Sequence, residues 1–243
     1  NVQGAQLAGF LNVTTQSTSG TQLAGFVNVS KEIKGTQVAG FANWAEDVNG
    51  TQVSGFINKA KNIKGNQIGI INIADSLTSG VAFGLLNFVK NGIFQFAAEH
   101  NDIIDANIAL RTGTKSLYTI LALGMDARRD YSWSYGVGLG TQFDIKNNLF
   151  ANVELSTHAI NTESNHFDEL NLLSKLNLNF GKQIAEHLSL NFGPSLNVYV
   201  TREYDSETGM YGSPNLNKNG FFSETYSGTH VSMWVGYSVA LKF

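Results

Sequence analysis

The chain has 243 residues, a formal net charge of −3, no cysteine, 25 glycines and only 2 prolines. That composition excludes a disulfide framework, a thiolate metal site and a cysteine nucleophile, and without a basic tract it speaks against nucleic acid as a partner. No run of about 18 apolar residues occurs, so no transmembrane helix is expected, while membrane-crossing strands of alternating polarity stay open. The chain opens at Asn1 with neither an initiator Met nor a signal peptide, and a processed or truncated N-terminus is expected.

The first third is a repeat: GAQLAGFLN from Gly4, GTQLAGFVN from Gly20, GTQVAGFAN from Gly35 and GTQVSGFIN from Gly50. GNQIGIIN from Gly65 and GVAFGLLN from Gly80 are looser copies, each one residue short before the Asn. A period of fifteen or sixteen residues is too short for a membrane-spanning hairpin, which needs about 20 in strands alone, but it suits one coil of a β-solenoid. Stacked coils would set like residues above one another. One ladder is Gln6, Gln22, Gln37, Gln52 and Gln67, the other Asn12, Asn28, Asn43, Asn58, Asn72 and Asn87. Such amides can satisfy one another from coil to coil, which is a structural role, or they can present a ligand or partner surface. Alternation places Gln, Phe and Asn on one face and the Leu/Val series on the other, with the inward face undecided. The stretches between repeats (TTQSTS, KEIK, EDVN, KNIK, ADSLTS) are mostly polar and suit solvated corners.

From residue 93 onward the pattern lengthens into alternating segments. Residues 93–100 alternate weakly and residues 104–111 more cleanly, followed by 117–125 and then by 131–145, the clearest internal case. There Trp133, Tyr135, Val137, Leu139 and Phe143 oppose Ser132, Ser134, Gly136, Gly138, Gly140, Gln142 and Asp144. Residues 149–159, 172–180 and 188–200 repeat the contrast, and residues 229–243 close the chain. In that last segment Val231, Met233, Val235, Tyr237, Val239, Leu241 and Phe243 form one apolar row, with Trp234 the large exception on the other side. Strands of about 9–11 residues with one apolar face are what a bilayer-spanning barrel needs, and the count of eight is even. Connections at residues 203–228 and 161–171 are long and the others short, and the two long ones fall on the same side. Aromatics gather toward strand ends, as interfacial belts require.

A ring of eight strands leaves a lumen that side chains fill, so a solute pore is not expected. The inward row contains Glu99, Asp105, Arg111, Asp126, Asp144, Glu154, Lys175 and Lys242, which read first as a structural ion-pair network and otherwise as a proton or ion path. Of the five histidines, His100, His158, His166 and His230 fall near one rim and His187 at the opposite turn. His158 follows Ser156 and Thr157, and His230 lies near Ser227 and Ser232, so Ser–His chemistry and a metal site from His158, His166, Asp168 and Glu169 are the catalytic alternatives. No phosphate loop, His-Glu-x-x-His or G-x-S-x-G occurs.

The final strand, ending on Phe243, resembles the C-terminal signature of bacterial outer-membrane barrels. The repeats, above all GNQIGIINIADSLTSGVAFGLLNFVK from Gly65, resemble a family of Bacteroidota surface-repeat proteins with an outer-membrane barrel-like region. The resemblance covers about residues 4–91 and implies an envelope location; most members of the family have no assigned activity. The fold expected is all-β: a solenoid-like array over residues 1–91, then an eight-stranded antiparallel transmembrane barrel over residues 92–243. The function expected is non-enzymatic, with outer-membrane lipid around the barrel and the array binding, scaffolding or plugging a protein partner as an accessory subunit of an envelope or secretion complex. A barrel enzyme acting on lipid A and a surface-exposed structural or adhesive protein are the alternatives. The topology puts the array on the periplasmic side, whereas the family's description implies the cell surface. No cofactor, metal or small-molecule substrate is indicated.

Overall fold

The computed structural model describes residues 1–126, 132–162, 169–206, 209–212 and 220–243, in which the regular elements are all strands. Two compact units emerge, Asn1–Phe94 with Arg111–Thr119, and Gln95–Leu110 with Ile120–Phe243.

In the first unit, strands β1 (Val2–Ala8), β2 (Leu11–Ala24), β3 (Val27–Ala39), β4 (Ala42–Trp44) and β5 (Asp47–Ser54) are followed by β6 (Ile57–Ile68), β7 (Ile71–Ser79), β8 (Ala82–Phe83) and β9 (Leu86–Val89). They pair in parallel, and the register is that of the repeat. Gln6 meets Gln22, which meets Gln37, and Asn12 meets Asn28, which meets Asn43. A short period cannot return the chain through a hairpin, so it winds forward, and each turn lies one strand spacing (about 4.8 Å) above the last. The corners rely on glycine. Gly50 has φ of 144°, and a Cβ there would sit 1.9 Å from the carbonyl oxygen of Gly35 in the coil below.

Inside the coils Ile33, Val48, Ile63 and Leu77 pack with Ala45, Ala60, Ala74 and Ala82, beside the two amide rows. The glutamines and asparagines point inward, and the Leu/Val series points out. Phe10, Phe26, Phe41 and Phe56 do not share the amide face, as simple alternation had them doing; they stand outside as a stack with centroids 5.0, 4.9 and 5.2 Å apart. The reason is local. Each Gly–Phe pair sits on a bend between strands, and a corner resets the period-two parity.

The second unit holds most of β10 (Ile93–Asn101), β11 (Ala106–Gly113) and β12 (Tyr118–Asp126), then β13 (Ser132–Asp144), β14 (Leu149–Asn161), β15 (Asn171–Ala185) and β16 (Leu188–Thr201). After the two-residue strands β17 (Tyr204–Asp205) and β18 (Met210–Tyr211) come β19 (Phe222–Tyr226) and β20 (Thr229–Lys242). The antiparallel order runs from β10 to β16, then β20 and β19, and β10 also pairs with β20, so β10–β16 and β20 close into a ring of eight. Tyr131 of the expected fourth strand lies outside the described residues. Strand β10 reaches β20 only along Ser238–Lys242, whereas β19 pairs with Thr229–Met233 and covers the other half of that edge.

The ring is polar inside and apolar outside. Along β14, Glu154 is 1 % exposed and Leu155 58 %; along β20, Trp234 is 4 % exposed and Val235 68 %. Glycine makes room for the inner polar side chains: a Cβ on Gly136 would lie 2.4 Å from Nδ1 of His158. The turn after β10 folds inward. Asn101 Oδ1 accepts from the backbone N–H of Ile103 and Ile104, each at 3.0 Å, and both isoleucines pack on Ile160, Leu173, Tyr199 and Trp234.

The amide ladder predicts a graded response to substitution. Gln37→Leu leaves Gln22 without its donor and Gln52 without its acceptor, and is expected to cost about 2–5 kcal/mol. Gln6→Leu, at the end of the row, is expected to cost about 1 kcal/mol or less. Denaturant unfolding followed by Trp44 fluorescence, with Trp133 and Trp234 replaced by Phe, separates the two.

Candidate functional site

The array's chemistry lies in two hydrogen-bonded rows of opposite sense. Each glutamine donates to the coil before it: Gln22 Nε2 to Gln6 Oε1, Gln37 to Gln22, Gln52 to Gln37 and Gln67 to Gln52, all at 2.8 Å. Each asparagine donates to the coil after it: Asn12 Nδ2 to Asn28 Oδ1, Asn28 to Asn43, Asn43 to Asn58 and Asn58 to Asn72 at 2.9 Å, then Asn72 to Asn87 at 2.8 Å. The second asparagine proton goes to a carbonyl of the following coil, as from Asn12 to Leu23 and from Asn28 to Val38, both at 2.7 Å. The two rows of amide dipoles therefore oppose each other, and nearly every internal polar atom has its partner.

The ends differ. At the C-terminal end Asn87 Nδ2 donates to Thr119 Oγ1 at 3.1 Å and to the Gly84 carbonyl at 3.0 Å, and its backbone N–H donates to Thr112 Oγ1 at 3.0 Å. The segment Arg111–Thr119 thus caps the array and belongs to the same unit. The glutamine row stops earlier, because Ala82 stands where the next Gln would be and Gln67 Oε1 is buried without a partner. In the first coil Gln6 Oε1 accepts from Gln22 Nε2 at 2.8 Å and from Thr14 Oγ1 at 3.0 Å. Phe10 is 67 % exposed, against 40 % for Phe26, Phe41 and Phe56.

The array's outer surface is strongly two-sided. Leu7, Leu23, Ile68 and Phe83 continue the apolar face beside the phenylalanine stack, and Lys59 Nζ lies 4.4 Å from the centroid of the exposed Trp44 ring. The other edge carries the ion pairs Lys34–Glu32 at 3.2 Å, Lys61–Glu46 at 3.6 Å and Lys90–Asp75 at 2.7 Å. The Lys90 hydrogen bond holds the Asp75 carboxyl below its ordinary range. These pairs are open to solvent and add little to stability.

Inside the ring, Lys242 Nζ lies 3.3 Å from Glu154 Oε1 with both side chains buried, and Lys175 is buried in the field of Glu99, Asp102 and Glu154. Trp234 Nε1 donates to Asp102 Oδ2 at 2.8 Å. One member of the expected inward row falls elsewhere: Asp144 is exposed at the end of β13, whereas Arg111 is buried on the same row of β11 as Asn107 and Ala109.

The histidines are dispersed. His158 Nε2 meets Ser156 Oγ at 3.0 Å inside the ring, but its Nδ1 is buried with no hydrogen-bond partner. A nucleophile–base pair needs an orienting group on that second nitrogen, and none is there. His230 bonds Thr225 Oγ1 at 2.9 Å and Ser223 Oγ at 3.4 Å, rather than Ser227 or Ser232. His100 faces outward between the Asp105 carbonyl at 2.8 Å and the Tyr237 hydroxyl at 3.2 Å, and His187 lies at an exposed turn 3.9 Å from Glu186. His166 and Asp168 lie outside the described residues. Among the described residues no three His, Asp or Glu side chains converge as a metal site. Phe243, the terminal aromatic, is outward-facing and exchanges backbone hydrogen bonds with Phe96, at 2.7 and 3.2 Å.

Comparison with known proteins found no matching family model, no matching curated protein and no matching solved structure. The sequence pattern pointed to both amide rows and to the Ser156–His158 pair. It missed the cap, because Thr112 and Thr119 follow a break in the repeat.

The buried ion pair gives a second prediction. Lys242→Met leaves Glu154 without this cation and is expected to cost about 3–5 kcal/mol, most of it recovered in the double variant Glu154→Leu/Lys242→Met. Thermal unfolding followed by circular dichroism provides the comparison.

Proposed function

We propose that this chain is a non-enzymatic outer-membrane protein of the Bacteroidota envelope, a barrel anchored in lipid whose repeat array docks a protein partner as an accessory subunit of a larger complex. One observation carries the membrane half: the ring of eight strands is inverted, with hydrogen-bonding and charged side chains within and Leu, Val, Ile and aromatic side chains without. In water that arrangement exposes a continuous apolar surface far beyond the few hundred Å² that soluble monomers tolerate. In a bilayer it is the low-energy one, since a closed ring satisfies every backbone group and hydrocarbon covers the apolar row. Strands β13 to β16 and β20 each run 13 to 15 residues, more than the about 9–11 needed to cross.

The partner half rests on the array. Its exterior is apolar on one side and charged on the other, while its interior is closed by its own amides, so what it offers a second molecule is a rigid face rather than a pocket. Among the described residues the one Ser–His pair inside the ring, Ser156–His158, has no orienting group on His158 Nδ1, which does not favour the lipid A enzyme. In the outer-membrane pattern both ends of the strand series are periplasmic, which supports a periplasmic array.

Fractionation and extraction test the reading. The protein should stay with membranes in high salt and alkaline carbonate and leave them only with detergent. Leu155→Arg, in the apolar row, should cost about 2–4 kcal/mol in bilayers. A chain that stays in solution without detergent, and is made more soluble by Leu155→Arg, would sink the membrane reading. Mild-detergent extraction should bring down a stoichiometric protein partner, and a lone particle would remove the accessory-subunit role.

A further inference from the structure

The outer surface of the repeat array is as regular as its interior. Parallel register stacks like residues outside as well as inside, and four neighbouring outward columns are apolar. One runs from Leu7 through Leu23, Val38, Val53 and Ile68 to Phe83. The next is the corner column of Phe10, Phe26, Phe41 and Phe56, continued by Ile70 and Leu85. Past the corner come the Val27 column, ending at Leu86, and the Val29 column, ending at Phe88. Lys59 is the only charged residue in the four. The corner residues form a crest where two apolar faces meet, each of them at least 40 % exposed. Beside the crest runs a furrow of about 510 Å³, lined by Leu7, Leu23 and Val38 with Gly9, Gly25 and Gly40 and by no polar side chain.

A face of this extent is not left in water, and two features decide what covers it. A protein interface is fixed by about one hydrogen bond per 100–200 Å² and by pockets that hold anchoring side chains. Here the main-chain groups are engaged from coil to coil, and of the side chains only Trp44 and Lys59 carry a polar atom. Translation also removes the register: a partner shifted by one coil, about 4.8 Å, meets nearly the same surface. Fluid hydrocarbon needs neither a hydrogen bond nor a register. The charges agree with that choice. Residues 1–94 hold six lysines and four carboxylates, a net +2 within a chain of net charge −3, which complements anionic head groups. Lys59 keeps its ammonium 4.4 Å from the centroid of the Trp44 ring, an aromatic and a cation together at the edge of an apolar face, as at a membrane boundary.

We propose that the array is itself a lipid-binding element, seated along an anionic phospholipid leaflet with the phenylalanine crest among the acyl chains and the charged edge in the head-group layer and water. The furrow takes an acyl chain, and Lys59 reaches a head-group phosphate. This lipid contact is separate from that of the barrel and does not depend on it. It leaves to a protein partner the charged edge, where the coils differ from one another and a register can be read.

The test uses the full chain in two single-tryptophan forms, one keeping Trp44 (Trp133→Phe/Trp234→Phe) and one keeping Trp133 on the ring's outer row (Trp44→Phe/Trp234→Phe). Each is reconstituted at low protein density into vesicles of phosphatidylcholine and phosphatidylglycerol, with plain or acyl-brominated phosphatidylcholine. Brominated lipid should quench Trp44 emission about twofold or more, and iodide in the water should leave it bright. Replacing the crest by Phe26→Ser/Phe41→Ser/Phe56→Ser should at least halve that quenching and leave Trp133 as it was; undiminished quenching would overturn the role of the crest. Should the triple variant fail to fold, the measurement on the intact crest still decides. Trp44 quenched by iodide and not by bromine would overturn the proposal and return the face to a protein partner. Trp44 quenched by neither would overturn it in favour of a second copy of the chain. Trp133 quenched by bromine without Trp44 would keep the barrel and remove the lipid-bound array, and Trp44 without Trp133 would do the reverse.

Discussion

A polar group removed from water must find a hydrogen bond or forfeit one to several kcal/mol, and that demand shapes both units of this protein. In the array the buried amides are paired by translation: the first five coils each bring one glutamine and one asparagine into register, and the neighbour completes them. In the ring the burial of Glu154, Lys175 and Lys242 is tolerable because different strands turn opposite charges toward one another. Both interiors bury rows of polar side chains, and both exteriors carry apolar faces.

Translation also explains why the array tolerates so little change at its core and so much at its corners. The segments between repeats differ in charge and even in length by one residue, which is absorbed by a register shift between Thr14 and Ser17. The glutamine, asparagine and glycine positions cannot drift in the same way, because each is the hydrogen-bond partner or the steric neighbour of its own copy. Where the row does change, at Ala82, the consequence is an orphaned oxygen on Gln67. The array ends where its own rule fails.

Much of this was legible in the residues. The fixed spacing announced stacked coils and both ladders, and period-two alternation located the eight long strands of the ring to within a few residues. What escaped was decided at corners and by contacts distant in sequence. The parity of Phe10 and its equivalents depends on a bend that alternation cannot count through. The inward fold of Ile103 and Ile104 depends on Asn101 capping two backbone amides, and on a pocket built by Leu173, Tyr199 and Trp234. Trp234, the misfit of the last strand's small row, is the residue that fills the space this inward turn leaves. Thr112 and Thr119 had no repeat to mark them, and the pairing of β19 with β20 lies in a connection without periodicity.

The histidines show the converse. Ser156 and His158 are adjacent in the pattern and adjacent in space, yet the pair lacks the third group that would make His158 a base, and Gly136 is glycine because its ring needs the room. Proximity of reactive residue types on an inward row is what an inverted ring produces without any demand for catalysis. Side chains that must be polar are crowded into a narrow space, and some of them will be serine and histidine.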